Sequence, residues 1–206
     1  MEKPLPAGWR WVKLGEICSF RHGGTPLKSE ASYWSGEIPW VSPKDMRSSV
    51  INDAEDHIND IAIKNSATCL VPKNILLVVV RSGILARYFP VAMTGRDVAF
   101  NQDIKAIFPD CSQINYEFLF FILRGLNDFI INHGVKKGAT VHSIKSDFIE
   151  SLKIPLPPLP EQQRIAARLR EQMQAVDEAR QAAEAQLKAI NQLPAALLRQ
   201  AFSGAL

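Results

Sequence analysis

The pattern of apolar and polar residues predicts several strands in the first three quarters of the chain. Residues 75–80 form a continuous apolar run, which is typical of a strand buried on both faces. Shorter runs, separated by turns that contain Gly, Pro or Asn, predict further strands at 10–14, 38–42, 90–93 and 103–108. We expect a twisted, mixed but largely antiparallel sheet, and the pattern leaves the strand order open.

Two segments of this part have helical character. Apolar residues follow helical spacing over residues 115–132, and Asn115 suits the N-cap because its side-chain oxygen can accept a backbone N–H. Residues 142–150 predict a shorter helix or a turn. The expected fold class is therefore α+β, a sheet with helices.

The composition changes after Ile154, which predicts a domain boundary. Residues 155–160 read Pro-Leu-Pro-Pro-Leu-Pro, and Ala, Gln, Glu, Arg and Leu then predominate. We predict a domain at 1–154, a Pro-rich joint at 155–160, a long helix at 161–193 and a separate cap at 194–206, because proline interrupts helices. A Pro-rich segment also suits peptide-binding grooves, but Pro160 fits the first turn of a helix, which favours a structural joint.

The long helix carries a heptad pattern with one apolar column and an adjoining half-polar column. So narrow and regular a stripe favours a seam against another long helix, and at about 1.5 Å per residue the helix would be about 48 Å long. We expect this seam to dimerise the chain. Its predicted members are Ile165, Leu169, Gln172, Val176, Ala179, Ala183, Leu187, Ile190 and Leu197.

Charge and cysteine usage narrow the class of protein. The formal net charge is +3, and residues 1–157 hold 18 Lys and Arg against 16 Asp and Glu, with four of the acids between residues 53 and 60. The rest of the domain is basic, as a surface facing phosphates would be. Cys18, Cys69 and Cys111 are widely spaced, so buried free thiols are expected rather than disulfides or a metal site. Without a leader or a long apolar run, we expect a cytoplasmic protein with no membrane span.

Motifs for catalysis are missing from the sequence. It has no Gly-x-Gly-x-x-Gly, no Gly-x-x-x-x-Gly-Lys and no Gly-x-Ser-x-Gly segment. An adenine methyltransferase would carry Asn or Asp before Pro-Pro-aromatic, whereas the one Pro-Pro pair here follows Leu156. The four histidines lack ligand spacing. We therefore expect no catalytic residue, no metal and no cofactor held by this chain.

Several segments together resemble one family, the specificity subunits of type I DNA restriction-modification systems. The resemblance covers nearly the whole chain, and the order and spacing of its segments are more specific than any one of them. The segments are Pro6-x-Gly-Trp-x-Trp-Val-x-Leu-Gly-Glu-Ile17, Gly23-Gly-Thr-Pro26, Tyr33-Trp-x-Gly36, Ile38-Pro-Trp-Val-Ser-Pro-Lys-Asp-Met46, Asn101-Gln-Asp-Ile104, Gly138-x-Thr140 with Ile144, Ile154-Pro-Leu-Pro-Pro-Leu-Pro-Glu-Gln-Gln-Arg-Ile165 and Leu197-Leu-Arg-Gln-Ala-Phe-Ser-Gly204.

The resemblance implies a non-catalytic subunit that reads double-stranded DNA. In this family two recognition domains each read half of a bipartite target, and two antiparallel helices set the gap. Modification subunits bind S-adenosylmethionine and methylate adenine, and restriction subunits join the assembly. This chain has one domain and one helix, so we expect a half-length form that acts as a homodimer on a split palindromic site. The last residues resemble the family's closing element, which favours a complete gene product.

Polar residues near predicted strand ends are the candidate DNA contacts, because base edges and phosphates are bound by such side chains on loops. The loop after Val80 is the first candidate, and the segment near residue 140 suits phosphate contact more than base readout. Asn101 and Gln102 either touch DNA or brace loops. The first candidate segment holds Arg81, Ser82, Gly83 and Arg87; the second holds Arg21, His22, Gly23, Gly24, Thr25 and Lys28; the third holds Ser42, Lys44, Asp45 and Arg47; and the fourth holds Lys136, Lys137, Gly138 and Thr140.

Two other functions stay open at this point. A protein–protein adaptor would use the long helix and the Pro-rich joint, but it would not need the basic loops. An enzyme with an unrecognised site, such as a lone methyltransferase, would bind S-adenosylmethionine by itself.

Overall fold

The computed structural model of the protein describes residues 4–138 and 140–203. The chain divides into two compact units, one that ends at Gln163 and one that begins at Arg164. The first unit holds all the described strands. Its boundary lies nine residues beyond the predicted end of the domain, because the proline segment is part of the fold.

The described strands are short, and most consist of two to five residues. They are β1 (Arg10–Lys13), β2 (Cys18–His22), β3 (Ile38–Val41), β4 (Val50–Ile51), β5 (Asp56–Ile58), β6 (Leu70–Val71), β7 (Leu76–Val79), β8 (Arg81–Ser82), β9 (Val91–Thr94), β10 (Val98–Phe100), β11 (Ile104–Pro109), β12 (Val135–Lys136), β13 (His142–Ile144) and β14 (Lys153–Leu156).

Six α-helices accompany these strands, together with two 3₁₀ turns at Ala31–Trp34 and Gly83–Ala86. The helices are α1 (Leu14–Ile17), α2 (Asp60–Lys64), α3 (Tyr116–Gly125), α4 (Asn127–Gly134), α5 (Ser146–Ser151) and α6 (Leu159–Phe202). Within the described residues, no helix is both long enough and apolar enough to cross a membrane.

The strands form a five-stranded sheet in the order β2-β11-β7-β9-β4 and a four-stranded sheet in the order β5-β3-β10-β6. Two smaller sheets pair β1 with β14 and join β12, β13 and β8. Eight of the ten described strand pairs are antiparallel, and the parallel ones are β3 with β10 and β4 with β9. The predicted α+β class with a largely antiparallel sheet is therefore confirmed.

The core is centred on β7, as the apolar run at 75–80 predicts. All four residues of β7 are fully buried, and β11 and β9 flank it. Helix α3 packs against β9 and buries Phe118, Leu119 and Leu123. A strand covered on both faces needs apolar side chains at every position, which is why its sequence does not alternate.

The predicted helix at 115–132 is in fact two helices. The side chain of Asn115 accepts the backbone N–H of Phe118, so the predicted N-cap is confirmed. Helix α3 ends at Gly125, and Leu126 has φ −88° and ψ 9° before α4 begins. Glycine is a weak helix former, and Asn127 accepts a hydrogen bond from the N–H of Phe89 at 2.7 Å. Gly125 and Asn127 therefore explain the interruption between α3 and α4.

The proline segment is a folded part of the first unit rather than an independent joint. Residues of β14 pair with β1, with Pro155 opposite Trp11. The fully buried Gln162 donates to the carbonyl oxygens of Pro157 and Gln113, and its side-chain oxygen accepts the N–H of Asn115 at 2.8 Å. This network fixes the start of α6.

Helix α6 does not stop before Pro194, so the predicted separate cap at 194–206 is wrong for its described residues. The helix continues to Phe202, which makes it 44 residues and about 66 Å long. An interior proline costs about 3 kcal/mol. The residues after it, mostly Ala, Leu, Arg and Gln, are strong helix formers and offset that cost. Residues 204–206 of the predicted cap lie outside the described residues.

Candidate nucleic-acid interface

The small three-stranded sheet brings two of the four candidate segments together. Strand β13 lies between β8, which holds Arg81 and Ser82, and β12, which contains Lys136. These two candidate segments lie about 55 residues apart in the sequence. The strand register nevertheless aligns Lys136 with Ser143 and Ser143 with Arg81. Arg81, Ser82 and Lys136 therefore lie on short strands rather than on free loops.

One face of this small sheet is polar and basic. Directly paired residues point to the same side of a sheet, so Lys136, Ser143 and Arg81 form one row across it. Ile144, which neighbours Ser143 in the strand, is buried on the opposite side. The Arg81 side chain is 63% exposed, and its Nε lies 3.9 Å from Oδ1 of Asp103. We call the row Lys136–Ser143–Arg81 the basic row.

The flanking members of these segments are also at the surface. Lys137, Gly138 and Thr140 follow β12 and are exposed. Gly83 opens the 3₁₀ turn after β8, and Arg87, which is exposed, caps that turn through its backbone N–H. Lys145, which directly follows β13, is another exposed base. Ser143 and Lys145 were not predicted, because residues 142–150 gave no clear strand signal.

The two glycines of the second segment are explained by packing. A Cβ on Gly23 would lie 2.2 Å from the carbonyl oxygen of Phe100, and one on Gly24 would lie 2.4 Å from the carbonyl carbon of Ala67. Gly24 is buried, its N–H donates to Phe100, and its carbonyl oxygen accepts from the Trp40 indole. Its backbone groups are therefore already used within the fold.

The other members of the second segment differ in setting. Arg21 and His22 belong to β2 rather than to a loop, and the Arg21 guanidinium lies 4.9 Å from the centroid of the Phe108 ring. Thr25 donates a hydrogen bond to the side chain of Gln102. Lys28 is exposed and borders a pocket that also contains Trp34. Arg21, His22 and Lys28 are the members with exposed side chains.

Asn101 and Gln102 brace loops in this structure. Asn101 is buried, its side-chain oxygen accepts the N–H of Asp103, and its own N–H donates to Val41. Gln102 accepts from Thr25. The bracing role considered for these residues is the one that their hydrogen bonds support.

The third segment folds onto itself beside the acids of residues 53–60, which we call the acidic cluster. The carboxylate of Asp45 accepts the N–H and hydroxyl of Ser42, both at 2.8 Å, and also the N–H of Glu55. Lys44 lies 2.9 Å from Asp56 and 3.1 Å from Glu55, and these partners raise the pKa of the Lys44 ammonium. A lysine so neutralised offers little attraction to phosphate. Arg47 is the exposed base of this segment.

The acidic cluster is held by local partners. Asp53 accepts a hydrogen bond from the backbone N–H of Ala54 and lies 2.8 Å from Nε2 of His57. Both contacts lower the pKa of Asp53, and the bond from Ala54 has the larger effect.

No group of three or more His, Cys, Asp or Glu side chains within the described part of the chain is arranged to hold a metal ion. The three cysteines are free thiols, but only Cys18 is buried, whereas Cys69 is half-buried and Cys111 exposed.

The second unit consists of the helix itself. Because α6 is continuous from Leu159 to Phe202, the predicted seam residues lie along one helical face. Several are large and exposed, among them Val176 at 58%, Leu187 at 58% and Ile190 at 59%. Leu193 and Leu197 extend this apolar stripe toward the end of the helix.

Comparison with known proteins identifies the family. The sequence profile described as the type I restriction modification DNA specificity domain matches residues 6–189. The chain belongs to this family. The specificity subunit of the Escherichia coli type I restriction enzyme EcoR124I/EcoR124II is 39% identical over 156 residues, which cover 75% of this chain and 38% of that subunit. The MjaIX specificity subunit of Methanocaldococcus jannaschii is 28% identical over 165 residues, which cover 79% of this chain and 37% of that subunit.

Solved structures share the fold of this specificity domain. A chain from a structure that addresses complex assembly and conformational transition of the type I R-M system gives a TM-score of 0.73 at 25% identity, covering 99% of this chain and 48% of that one. The HsdS subunit of Thermoanaerobacter tengcongensis gives a TM-score of 0.67 at 24% identity, covering 99% of this chain and 47% of that one. The chain thus spans less than half the length of the relatives that it matches.

The segments that carry the family resemblance are largely structural in this specificity domain. Gly8 adopts φ +81° in a turn closed by the N–H of Trp9, whose indole donates to Glu161 at the start of α6. Trp34 packs edge-on against Trp40 with 5.1 Å between ring centroids. These family segments form the scaffold. The three residues of the basic row lie outside them.

Proposed function

We propose that this chain gives sequence specificity to a type I restriction-modification complex by binding double-stranded DNA through its first unit. The single observation that carries the proposal is the basic row, because it joins Lys136, Ser143 and Arg81 into one donor-rich surface on one sheet. Arginine and lysine donate to phosphates and to guanine edges, and serine donates to either. Family membership supports the same ligand.

The remaining exposed candidates extend this surface in our proposal. Lys137 and Thr140 neighbour the basic row along the chain, and Arg87 follows the turn that leaves β8. We propose phosphate contacts for the lysines and base readout for Arg81, whose exposed guanidinium has its Nε 3.9 Å from Oδ1 of Asp103. Arg21, His22 and Lys28 remain proposed contacts. Gly23, Gly24, Ser42, Lys44 and Asp45 are better explained by packing and local bonding.

The chemistry in this proposal belongs to partner subunits. Modification subunits would bind S-adenosylmethionine and methylate adenine, and restriction subunits would join the same assembly. The chain would hold no cofactor and would act as a DNA adaptor for them. Since its ligand is cellular DNA, the complex would act in the cytoplasm.

We further propose that two copies of the chain pair through α6. The exposed apolar stripe repeats every seven residues along a helix of 44 residues, and a stripe of this kind is covered when two such helices pack together. Two copies would also match the length of one solved relative, since this chain covers 48% of that chain. A two-fold dimer would read a split palindromic target.

The proposal is tested by mapping adenine methylation. The chain and a modification subunit encoded beside it would be expressed in a host that lacks other adenine methylation, and methylated positions would be located by single-molecule sequencing. We expect one bipartite palindromic motif that appears only when the chain is present. Arg81→Ala should reduce its methylation or relax one base position, whereas Arg10→Ala, outside the candidate segments, should not. Methylation that is absent, or independent of the chain, would overturn the proposal.

A further inference from the structure

A small cleft beside the third candidate segment collects hydrogen-bond donors. Its volume is about 100 Å³, and its lining includes Arg47, Ser49, Tyr88 and Arg124. These residues come from three separate parts of the chain, the segment before β4, the segment before β9 and the end of α3. Among the described residues, no Asp or Glu lines it. The cleft is therefore suited to an anion.

Arg124 is held in position within this cleft. Its Nη1 donates a hydrogen bond of 2.9 Å to Oγ of Ser49, and its guanidinium carbon lies 5.3 Å from the centroid of the Phe120 ring. A guanidinium has five N–H donors, so most of them stay available after the bond to Ser49. Fixing the side chain before the ligand arrives lowers the entropy lost on binding.

The neighbouring groups complete a donor set. The Ser49 hydroxyl accepts from Arg124 and keeps its own hydrogen for donation. Tyr88 is exposed and offers a phenolic hydroxyl, and Arg47 offers a second guanidinium. Donors of these types suit a phosphate, whose oxygens accept hydrogen bonds in all directions.

The surroundings also set the direction from which an anion can approach. Arg47 borders a second groove, where Asp53 and Glu55 are part of the acidic cluster. Those carboxylates repel phosphate, which favours approach over Arg124 and Tyr88. Tyr88 directly follows Arg87, one of the proposed DNA contacts, in the sequence.

We propose that this cleft holds one phosphate of the DNA backbone, with Arg124 and Arg47 as its charged ligands. The inference rests on the proposed DNA-binding function and adds Arg124, Ser49 and Tyr88 to it. A phosphate contact positions the protein on DNA without reading sequence. Its loss should therefore weaken binding to every duplex by the same factor.

The test measures binding of the full chain to fluorescent duplexes by anisotropy from 50 to 300 mM KCl, with a random-sequence duplex and with the target found by methylation mapping. Each neutralised phosphate contributes about 0.9 to the slope of log K against log salt. We expect Arg124→Gln to lower the slope by about that amount and to weaken both duplexes about tenfold at 100 mM KCl. Lys64→Gln, which removes one exposed positive charge at the end of α2, is the matched control.

Two further variants separate charge from structure. Arg124→Lys keeps the charge and should retain most of the salt slope. Ser49→Ala removes the orienting bond and should weaken binding less than Arg124→Gln without changing the slope. Thermal unfolding of each variant checks that the fold persists.

The outcomes discriminate between the two proposals. A wild-type chain that binds no duplex at any salt concentration would overturn the DNA-binding function itself. Wild-type binding with an unchanged slope in Arg124→Gln would overturn the phosphate cleft alone. Loss confined to the target duplex would also overturn it, because it would indicate contact with a base edge.

Discussion

The ammonium group of Lys105 donates a 2.9 Å hydrogen bond to Oε1 of Glu150 from a side chain that has no exposure to solvent. Its Nζ also lies 5.0 Å from the centroid of the Phe20 ring. Lys105 belongs to β11 in the central sheet, and Glu150 belongs to α5, which follows β13 of the basic row. The pair therefore ties the element after the proposed DNA surface to the core.

Removing one partner of this pair should destabilise the protein. Glu150→Ala leaves a buried ammonium without its counter-charge, which should lower the free energy of unfolding by about 2–3 kcal/mol, less than for a fully buried pair since Glu150 is 47% exposed. The double variant Lys105→Met with Glu150→Ala should recover most of this loss. Urea unfolding measures both. A single Glu150→Ala variant with the wild-type midpoint would contradict the assignment.

Gly24 provides a test of the packing explanation for the second candidate segment. A methyl group there would press on the backbone of Ala67 and Thr68, at 2.4 and 2.6 Å, so Gly24→Ala should cost about 1–3 kcal/mol of stability. Gly83→Ala is the matched control, because its nearest new neighbour is the carbonyl oxygen of Thr140 at 3.5 Å. Thermal unfolding compares the two. Equal melting temperatures would show that close packing is not what requires glycine at position 24.

The sequence predicts the strands whose pattern is decided by burial. Strand β7 is apolar throughout because it is covered on both faces, and Asn115 has the side chain that an N-cap needs. Strand β14 contains a proline and, among the described strands, pairs with β1 alone, so one of its edges needs no backbone donors. An edge strand of that kind cannot be told from an extended joint by composition.

The candidate site was harder to predict, because its assembly depends on pairing between distant segments. Strands β8, β12 and β13 have two or three residues each, too few to show a period, and tertiary contacts decide their register. Gln162 and Gln163 look alike in sequence, yet Gln162 is buried and bonded while Gln163 is exposed. The residue types predict basic loops. Only the fold distinguishes exposed bases from bases neutralised by an ion pair, such as Lys44.

Stability at alkaline pH should depend on Cys18. Burial, and then the nearby Asp110 carboxylate, raise the pKa of this thiol from its ordinary value of 9.0 to about 12. Above pH 9 the unfolded chain loses a proton that the native state retains. The stabilisation present below pH 9 is therefore lost progressively up to about pH 12.

Urea unfolding at pH 8 and pH 10.5 checks this dependence. Wild type should lose more stability between the two pH values than Cys18→Ala, in which the thiol is absent. Cys111→Ala, at an exposed cysteine, should behave as wild type does. If Cys18→Ala and wild type lose the same amount, the alkaline sensitivity comes from other groups.

The apolar stripe of α6 makes the proposed dimer directly testable. Ile190→Asp places a charge in the seam and should leave a mass near 23.0 kDa by light scattering, where wild type should give twice that value. Gln181→Asp adds the same charge on the far side of the helix and should remain dimeric, because position 181 lies outside both seam columns. Circular dichroism confirms that both variants stay helical. A wild-type monomer at every concentration, or an Ile190→Asp dimer, would rule out pairing of two copies through this face. The stripe would then be expected to pack against a different protein.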